Sequence, residues 1–306
     1  MSLSQRTVAE RISLTGVGLH SGQPVTLTLV PSAPGSGVVF VRTDLPGKPE
    51  IPARPEFVVD TSLATSVGRG NARVGTVEHL MAALVGMGID NVRVEVDGPE
   101  IPIMDGSSAP FCFLIRSVGT VSQSKPKRFL IIKHPVEVRD GDKHARLVPA
   151  PRFSVSCTID FRHPLITDQA FRMDFSDRTF DREIARARTF GFLRDVEKLK
   201  SMGLARGGSL DNAIVVDDFN ILNPDGLRFP DEFVRHKILD AVGDLALLGM
   251  PVVGHLFAHK SGHALNQKLV AAVLADPESH AVVSAGRELE RWRLQVPAFG
   301  AAAEVA

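Results

Sequence analysis

The chain of 306 residues contains only two cysteines, Cys112 and Cys157, and neither belongs to a CxxC pair or a zinc-finger spacing. This argues against a disulfide framework or a cysteine-bound metal, and two thiols among apolar neighbours read as free and buried in a reducing cytoplasm. An excess of charge is absent as well, since Lys plus Arg and Asp plus Glu number 35 each. With no global basic field there is no case for nucleic acid, and an anionic ligand must be met by local charges. The longest apolar stretch, 241–257, is interrupted by Asp244, Pro251 and His255, so it is too short and too polar for a transmembrane segment. The opening Met1-Ser2-Leu3-Ser4-Gln5-Arg6 runs into a polar, strand-like segment and does not read as a signal peptide. Gly-x-Ser-x-Gly, a P-loop and a strand-bound Gly-x-Gly-x-x-Gly are all missing, which leaves serine hydrolysis, nucleotide hydrolysis and dinucleotide binding without support. No protein partner is implied.

What is present describes an ordinary globular protein, 44% hydrophobic and 23% charged, long enough for two domains with cores of their own. Short β-rich runs such as 25–30 and 38–41 alternate with Pro/Gly turns, followed by a helix over 76–85, a strand over 91–96 and a helix over 110–118. A polar stretch, Ser122-Gln123-Ser124-Lys125-Pro126-Lys127-Arg128, reads as a linker. Beyond it lie strands near 129–132, 144–148 and 153–159, a helix near 182–187, a helix over 231–248, a strand over 252–258 and a helix over 263–274. Helix, strand, loop, helix thus occurs twice. The expected class is α+β: two similar β-α-α-β sandwich domains, 1–121 and 129–306, with the linker at 122–128 and an insert near 192–213. Two α+β domains sharing a common motif by accident is the competing explanation of the pattern. Facing halves would form a cleft between their helices in which residues of both converge.

The chemistry-bearing residues lie on those helices. At roughly 100° per residue, His236, Asp240 and Asp244 share one side of an otherwise apolar helix, whose Ile238, Leu239, Val242 and Leu245 call for burial. A carboxylate held against a core requires a positive partner. Thr76-Val77-Glu78-His79-Leu80 sets a carboxylate beside an imidazole at a helix start, an arrangement in which His79 can bind a metal while Glu78 reaches its water. His79, His236 and Asp240 would supply N, N and O ligands, a set that suits zinc with one open position. Iron(II) is also compatible with two histidines and an aspartate. His263, after Ser261-Gly262, is either a plain residue at a helix start or an imidazolium held protonated by a carboxylate such as Asp244. Lys237 points either to solvent or into the cleft. The stripe Phe192, Val196, Leu199, Met202 either packs into a core or walls an apolar groove.

Six motifs in order over residues 5 to 275 carry a resemblance: Gly16-Val17-Gly18-Leu19-His20-Ser21-Gly22, Thr76-Val77-Glu78-His79-Leu80, Ile101-Pro102-Ile103-Met104-Asp105-Gly106-Ser107, Arg188-Thr189-Phe190-Gly191-Phe192, His236-Lys237-Ile238-Leu239-Asp240 and Lys260-Ser261-Gly262-His263-Ala264-Leu265-Asn266. The sequence resembles the bacterial UDP-3-O-acyl-N-acetylglucosamine deacetylases. That resemblance implies zinc held by residues matching His79, His236 and Asp240, with Glu78 as general base and His263 as general acid. It further implies that Asp244 orients His263 and that Lys237 and Thr189 help to hold the oxyanion. The segment from Phe192 to Met202 matches the family's hydrophobic passage for an acyl chain, with Leu19 near it and Phe190 on the substrate side. Lys143, Phe161, Asp195 and Lys260 match positions associated with the nucleotide-sugar end. The implied substrate is an acylated UDP-amino sugar, and the implied reaction is the committed step of lipid A biosynthesis in the cytoplasm.

Overall fold

Strict alternation builds the central strands. In Val92–Val96 the three valines are buried while Arg93 and Glu95 face the other side, and Lys143–Val148 buries Ala145 and Leu147 with exposed Arg146 between them. A computed structural model describes residues 3–286; the Ala-rich tail from Ala298 lies outside the described residues.

Two five-stranded sheets result. The first has the order Ile12–Val17, Pro24–Pro31, Val92–Val96, Val38–Arg42, Glu50–Pro52, and the second Val136–Asp140, Lys143–Val148, His255–His259, Ser154–Ile159, Gln169–Asp174. In both, successive neighbours pair antiparallel, antiparallel, parallel and antiparallel. Identical order and direction bear out the duplicated β-α-α-β unit, since an accidental likeness would not reproduce both.

In chain order the helices are α1 (Glu78–Gly86), α2 (Ala109–Val118), α3 (Asp177–Glu183), α4 (Leu193–Ser201), α5 (Glu232–Leu245) and α6 (His263–Ala275). Helices α1 and α2 belong to the first unit, α5 and α6 to the second, and α1 packs along α5 at the centre. Both central helices are buried on nearly every side, and Leu80, Met81 and Leu84 of α1 join Leu239, Val242 and Leu245 of α5 in one core that runs through both units. Each such side chain contributes on the order of 1.5–3 kcal/mol when fully buried. A Cβ on Gly243 would lie 2.1 Å from the backbone oxygen of Glu78, so the helices cross this closely only because position 243 carries no side chain.

Two expectations need correction. The stretch read as a linker is regular structure: Thr120–Pro126 pairs antiparallel with Ser4–Val8, and Arg128–Ile132 lies between Val252–Val253 and His280–Ser284. Its polar side chains fit a strand because one face points to solvent, while Lys127 turns inward to donate to Asp90 at 2.5 Å and to the Gly88 carbonyl at 3.1 Å. The helix placed near 182–187 begins earlier, because Ser176 and Thr179 form a capping box that starts α3 at Asp177.

Between the units' core elements lie two insertions, a three-stranded sheet of Val58–Asp60, Ser66–Arg69 and Ala72–Val74, and a parallel pair of Phe190–Phe192 with Ile214–Val216 that carries α4. No described helix is long and apolar enough to cross a membrane. The helix crossing predicts that Gly243→Ala, whose methyl group meets backbone rather than a movable side chain, loses about 3 kcal/mol of stability. Denaturant unfolding of the variant checks this, and unchanged stability would show that α1 and α5 do not approach so closely.

Candidate functional site

The crossing of α1 and α5 brings the first turn of one helix against the polar side of the other. His79 Nε2 lies 3.6 Å and His236 Nε2 3.3 Å from Oδ1 of Asp240, and one ligand atom from each of the three residues falls within 4.8 Å of the others. A tetrahedral ion with bonds of about 2.1 Å has edges of about 3.4 Å, so these separations suit a metal of zinc's size. His236 donates from Nδ1 to the Ala187 carbonyl at 3.0 Å, which leaves the Nε2 lone pair facing the cluster. The buried Oδ1 of Asp240 has no hydrogen-bond partner among the described residues, nor does Nδ1 of His79. An unpaired carboxylate oxygen with two imidazole nitrogens converging on it is the donor set a divalent cation completes.

Around this cluster every charge has a counterpart. Lys237 turns toward the cluster, where its ammonium donates to Asp240 Oδ2 at 2.6 Å. Burial alone would raise Asp240, but His236 and Lys237 hold its carboxyl well below the usual carboxylate range. Burial likewise opposes the charge of Lys237, yet Asp240 carries it above its ordinary value. Desolvation pushes His236 down to about 4, so it is a neutral imidazole able to act as a ligand.

Glu78 sits beside the cluster, 3% exposed, with Oε2 accepting the Thr65 backbone N–H at 3.0 Å. Burial raises its carboxyl above the ordinary value against the pull of His263 and His79. His263 Nε2 is 3.7 Å from Glu78 Oε1, and its Nδ1 donates to Asp244 Oδ2 at 3.0 Å. Burial works against its charge, but Asp244, Glu78 and Asp240 together lift the imidazole to about 9. Asp244 is itself fully buried and fixed by donors from Thr65 Oγ1 at 2.5 Å and Asn266 Nδ2 at 2.8 Å. The imidazolium reading of His263 is therefore the one its surroundings favour.

These groups open into a cavity of about 430 Å³ whose lining includes Glu78, His79, Thr189, His236, Asp240 and His263. The same cavity is walled by apolar side chains, among them Leu19, Phe190, Leu193, Val196, Leu199, Ala213 and Val215. The stripe on α4 is thus a groove wall at Val196 and Leu199, whereas Met202 is 63% exposed and does not line the cavity. Thr189 is set by two backbone bonds, donating to Gly106 O at 2.8 Å and accepting from Ile214 N. Phe190 meets Phe161 edge-on at 5.4 Å and lies 6.3 Å from the His236 ring, while Phe192 faces Phe161 and a separate cavity of about 270 Å³ beside His163. Lys260 is paired with Asp142 at 2.8 Å and Asp160 at 2.9 Å. Lys143 and Asp195 are exposed, and neither lines these two cavities.

Sequence reasoning did not find Thr65, Asn266 or the Ala187 carbonyl. Asn266 stands three residues after His263 in a motif already singled out, one helical turn further along, which places the two side chains on the same side of α6. Thr65 belongs to an irregular loop, and a main-chain carbonyl has no sequence signature.

The sequence profile described as UDP-3-O-acyl N-acetylglycosamine deacetylase matches residues 5–275. A protein of Myxococcus xanthus (strain DK1622) named UDP-3-O-acyl-N-acetylglucosamine deacetylase is 67% identical over 290 residues, covering 94% of this chain and 92% of the relative. Proteins of the same name from Anaeromyxobacter dehalogenans (strain 2CP-C), 64% identical with 97% of each chain covered, and Anaeromyxobacter sp. (strain Fw109-5), 66% identical over 92% of this chain and 91% of the relative, agree with it. A match of this length and identity, over the same residues that build the two sheets and the buried cluster, makes the chain a member of the UDP-3-O-acyl N-acetylglycosamine deacetylase family.

Proposed function

We propose that this chain removes the N-acetyl group from UDP-3-O-(3-hydroxyacyl)-N-acetylglucosamine, giving acetate and the free 2-amino sugar nucleotide, with zinc at His79, His236 and Asp240. The observation that carries this reading is the convergence of Glu78, His263 and the three-residue cluster in one cavity that is also lined by many apolar side chains. Polar chemistry and an apolar passage in a single space suit a substrate that is an amide at one point and a fatty chain at another.

The chemistry that an ion at this cluster supplies is Lewis acidity toward water and the amide carbonyl. Glu78, raised by burial and anchored through Oε2, takes a proton from the attacking water through Oε1. Thr189 hydroxyl, the Lys237 ammonium and the His263 imidazolium face the developing oxyanion, and fixed donors of this kind are worth about 3–4 kcal/mol each. His263 then protonates the departing nitrogen, with Asp244 keeping the imidazole charged and oriented until it does so. An amine leaves poorly without that proton.

Leu19 and the α4 face form the acyl passage in this reading, with Phe190 and Phe192 at the substrate side. Phe161, Lys143, Asp195 and Lys260 serve the nucleotide-sugar end. The units divide after the strand Thr120–Pro126, with the insert at 192–213 assigned to the second. The reaction belongs to lipid A biosynthesis, and the chain works in the cytoplasm.

Replacing His79 with Ala is expected to abolish stoichiometric metal binding, whereas Glu78→Ala retains the metal and loses about 10²–10⁴-fold in kcat. Metal analysis paired with acetate release decides this, and loss of the metal from Glu78→Ala would overturn the division of roles. Turnover is also expected to fall as pH rises through the His263 value of about 9, because the proton donor is then lost. Asp244→Asn removes the charge that raises that value, so the alkaline limb of its kcat profile moves to lower pH. A limb that stays in place would take His263 out of the donor role.

A further inference from the structure

The glycine-rich stretch Gly16-Val17-Gly18-Leu19-His20-Ser21-Gly22 supplies Leu19 and His20 to the lining of the main cavity, but apart from Leu19 its residues have no part in the reading described above. Its tight turn is held from behind by Glu100, which is 4% exposed. One carboxylate collects four contacts: the His20 N–H at 3.0 Å to Oε1 and 3.1 Å to Oε2, the Ser21 N–H at 3.1 Å to Oε2, and the Thr76 hydroxyl at 2.9 Å to Oε1. A Cβ on Gly18 would lie 2.5 Å from Glu100 Oε2, so the turn and the carboxylate leave each other no slack.

The two things Glu100 grips belong to different parts of the site. On one side the turn forms a wall of the main cavity through Leu19 and is bonded onward to the insert, where Gly207 N–H donates to Leu19 O at 3.0 Å and Arg206 N–H to His20 O at 3.3 Å. On the other side Thr76 stands two residues before Glu78 with a φ of 55°, a left-handed conformation that strains a β-branched residue unless its surroundings impose it. Its hydroxyl bond to Glu100 is one such constraint. The neighbouring backbone adds a second, with Gly75 N–H donating to Pro99 O at 2.9 Å and Ile101 N–H to Gly75 O at 3.0 Å.

We infer that Glu100 is a positioning residue that ties the wall of the apolar passage to the start of α1, so that a chain seated in the passage and the pair Glu78 and His79 are held in one register. Binding energy from a remote part of a substrate raises the rate only when a stiff connection delivers it to the reacting centre. Buried hydrogen bonds to a carboxylate are among the stiffer connections a protein can make. The inference rests on the proposed reading of the passage as the acyl site.

The test uses the full, metal-loaded chain and two substrates, the UDP-N-acetylglucosamine bearing a long 3-O-acyl chain and the one bearing 3-O-acetyl, with acetate release as the signal. Wild-type protein is expected to favour the long chain strongly in kcat/KM; a ratio near one would refute the passage reading itself, whatever Glu100 does. Glu100→Ala is expected to lower that ratio by about tenfold or more, the scale of one hydrogen bond to a charged group, chiefly through kcat on the long chain and with bound metal unchanged. Glu100→Gln, which still accepts through one oxygen, falls between. Equal losses on both substrates, or an unchanged ratio, would overturn the inference in favour of general stability or no role. If Glu100→Ala does not fold, Thr76→Val and Thr76→Ser decide the matter: the ratio falls when the hydroxyl is removed and is kept when it is retained, and any other pattern counts against the coupling.

Discussion

Helices α1 and α5 cross at a point where one of them has no side chain, and the site follows from that contact. Gly243 lets the backbone of Glu78 come against α5, which sets Glu78 and His79 opposite His236, Asp240 and Asp244. Three carboxylates are thereby buried in one small volume, an arrangement that would be strongly unfavourable if any were left without a partner. Lys237 answers Asp240, His263 answers both Glu78 and Asp244, and Thr65 and Asn266 take up remaining oxygens. What is left over is Oδ1 of Asp240 with two imidazoles beside it, and that remainder is where a cation belongs.

The duplicated architecture explains how residues so far apart in sequence come to face each other. Each unit presents its first helix on the inner side of an equivalent sheet, so joining the units face to face puts α1 against α5. The site itself is not symmetric. The first unit gives Glu78 and His79 from the beginning of its helix, and the second gives His236, Asp240 and Asp244 spread along one side of its own. The insertions differ more, and they shape the cavity: Leu63 and Ala64 come from the loop of the first, the apolar lining from α4 and its neighbours in the second. The buried cluster thus resides on the repeated core and most of the apolar cavity lining on the unrepeated additions.

The motifs without catalytic groups become intelligible on the same terms. Asp105 receives Arg228 of the second unit at 2.8 Å, and Gly106, at φ 83°, accepts Thr189 N–H where a Cβ would collide with the Asn212 carbonyl. Arg188 is gripped through its backbone N–H and its guanidinium by the fully buried Glu232, which fixes the segment carrying both the Ala187 carbonyl and Thr189. These contacts hold the edges of the site at the boundary between units, where a small displacement would separate groups that have to act together.

Periodicity made much of this legible. Spacing by four along 236, 240 and 244 defines one helix side, alternation over 92–96 defines a half-buried strand, and the adjacent Glu78 and His79 set a carboxylate beside an imidazole at a helix start; each depends only on neighbours in sequence. The residues from 122 to 126 could not be read as strand, because their partner is Ser4–Val8, more than a hundred residues away, and their polar face gives no local signal. The direction of Lys237 was open for a similar reason, since it is decided by a carboxylate whose own position depends on the packing of α5. Local spacing determined which side chains share a face, while long-range packing decided which faces meet, which protons are held and which side chains line the cavity. Pairings across the chain depend on the summed burial of both units, and no short segment carries that information.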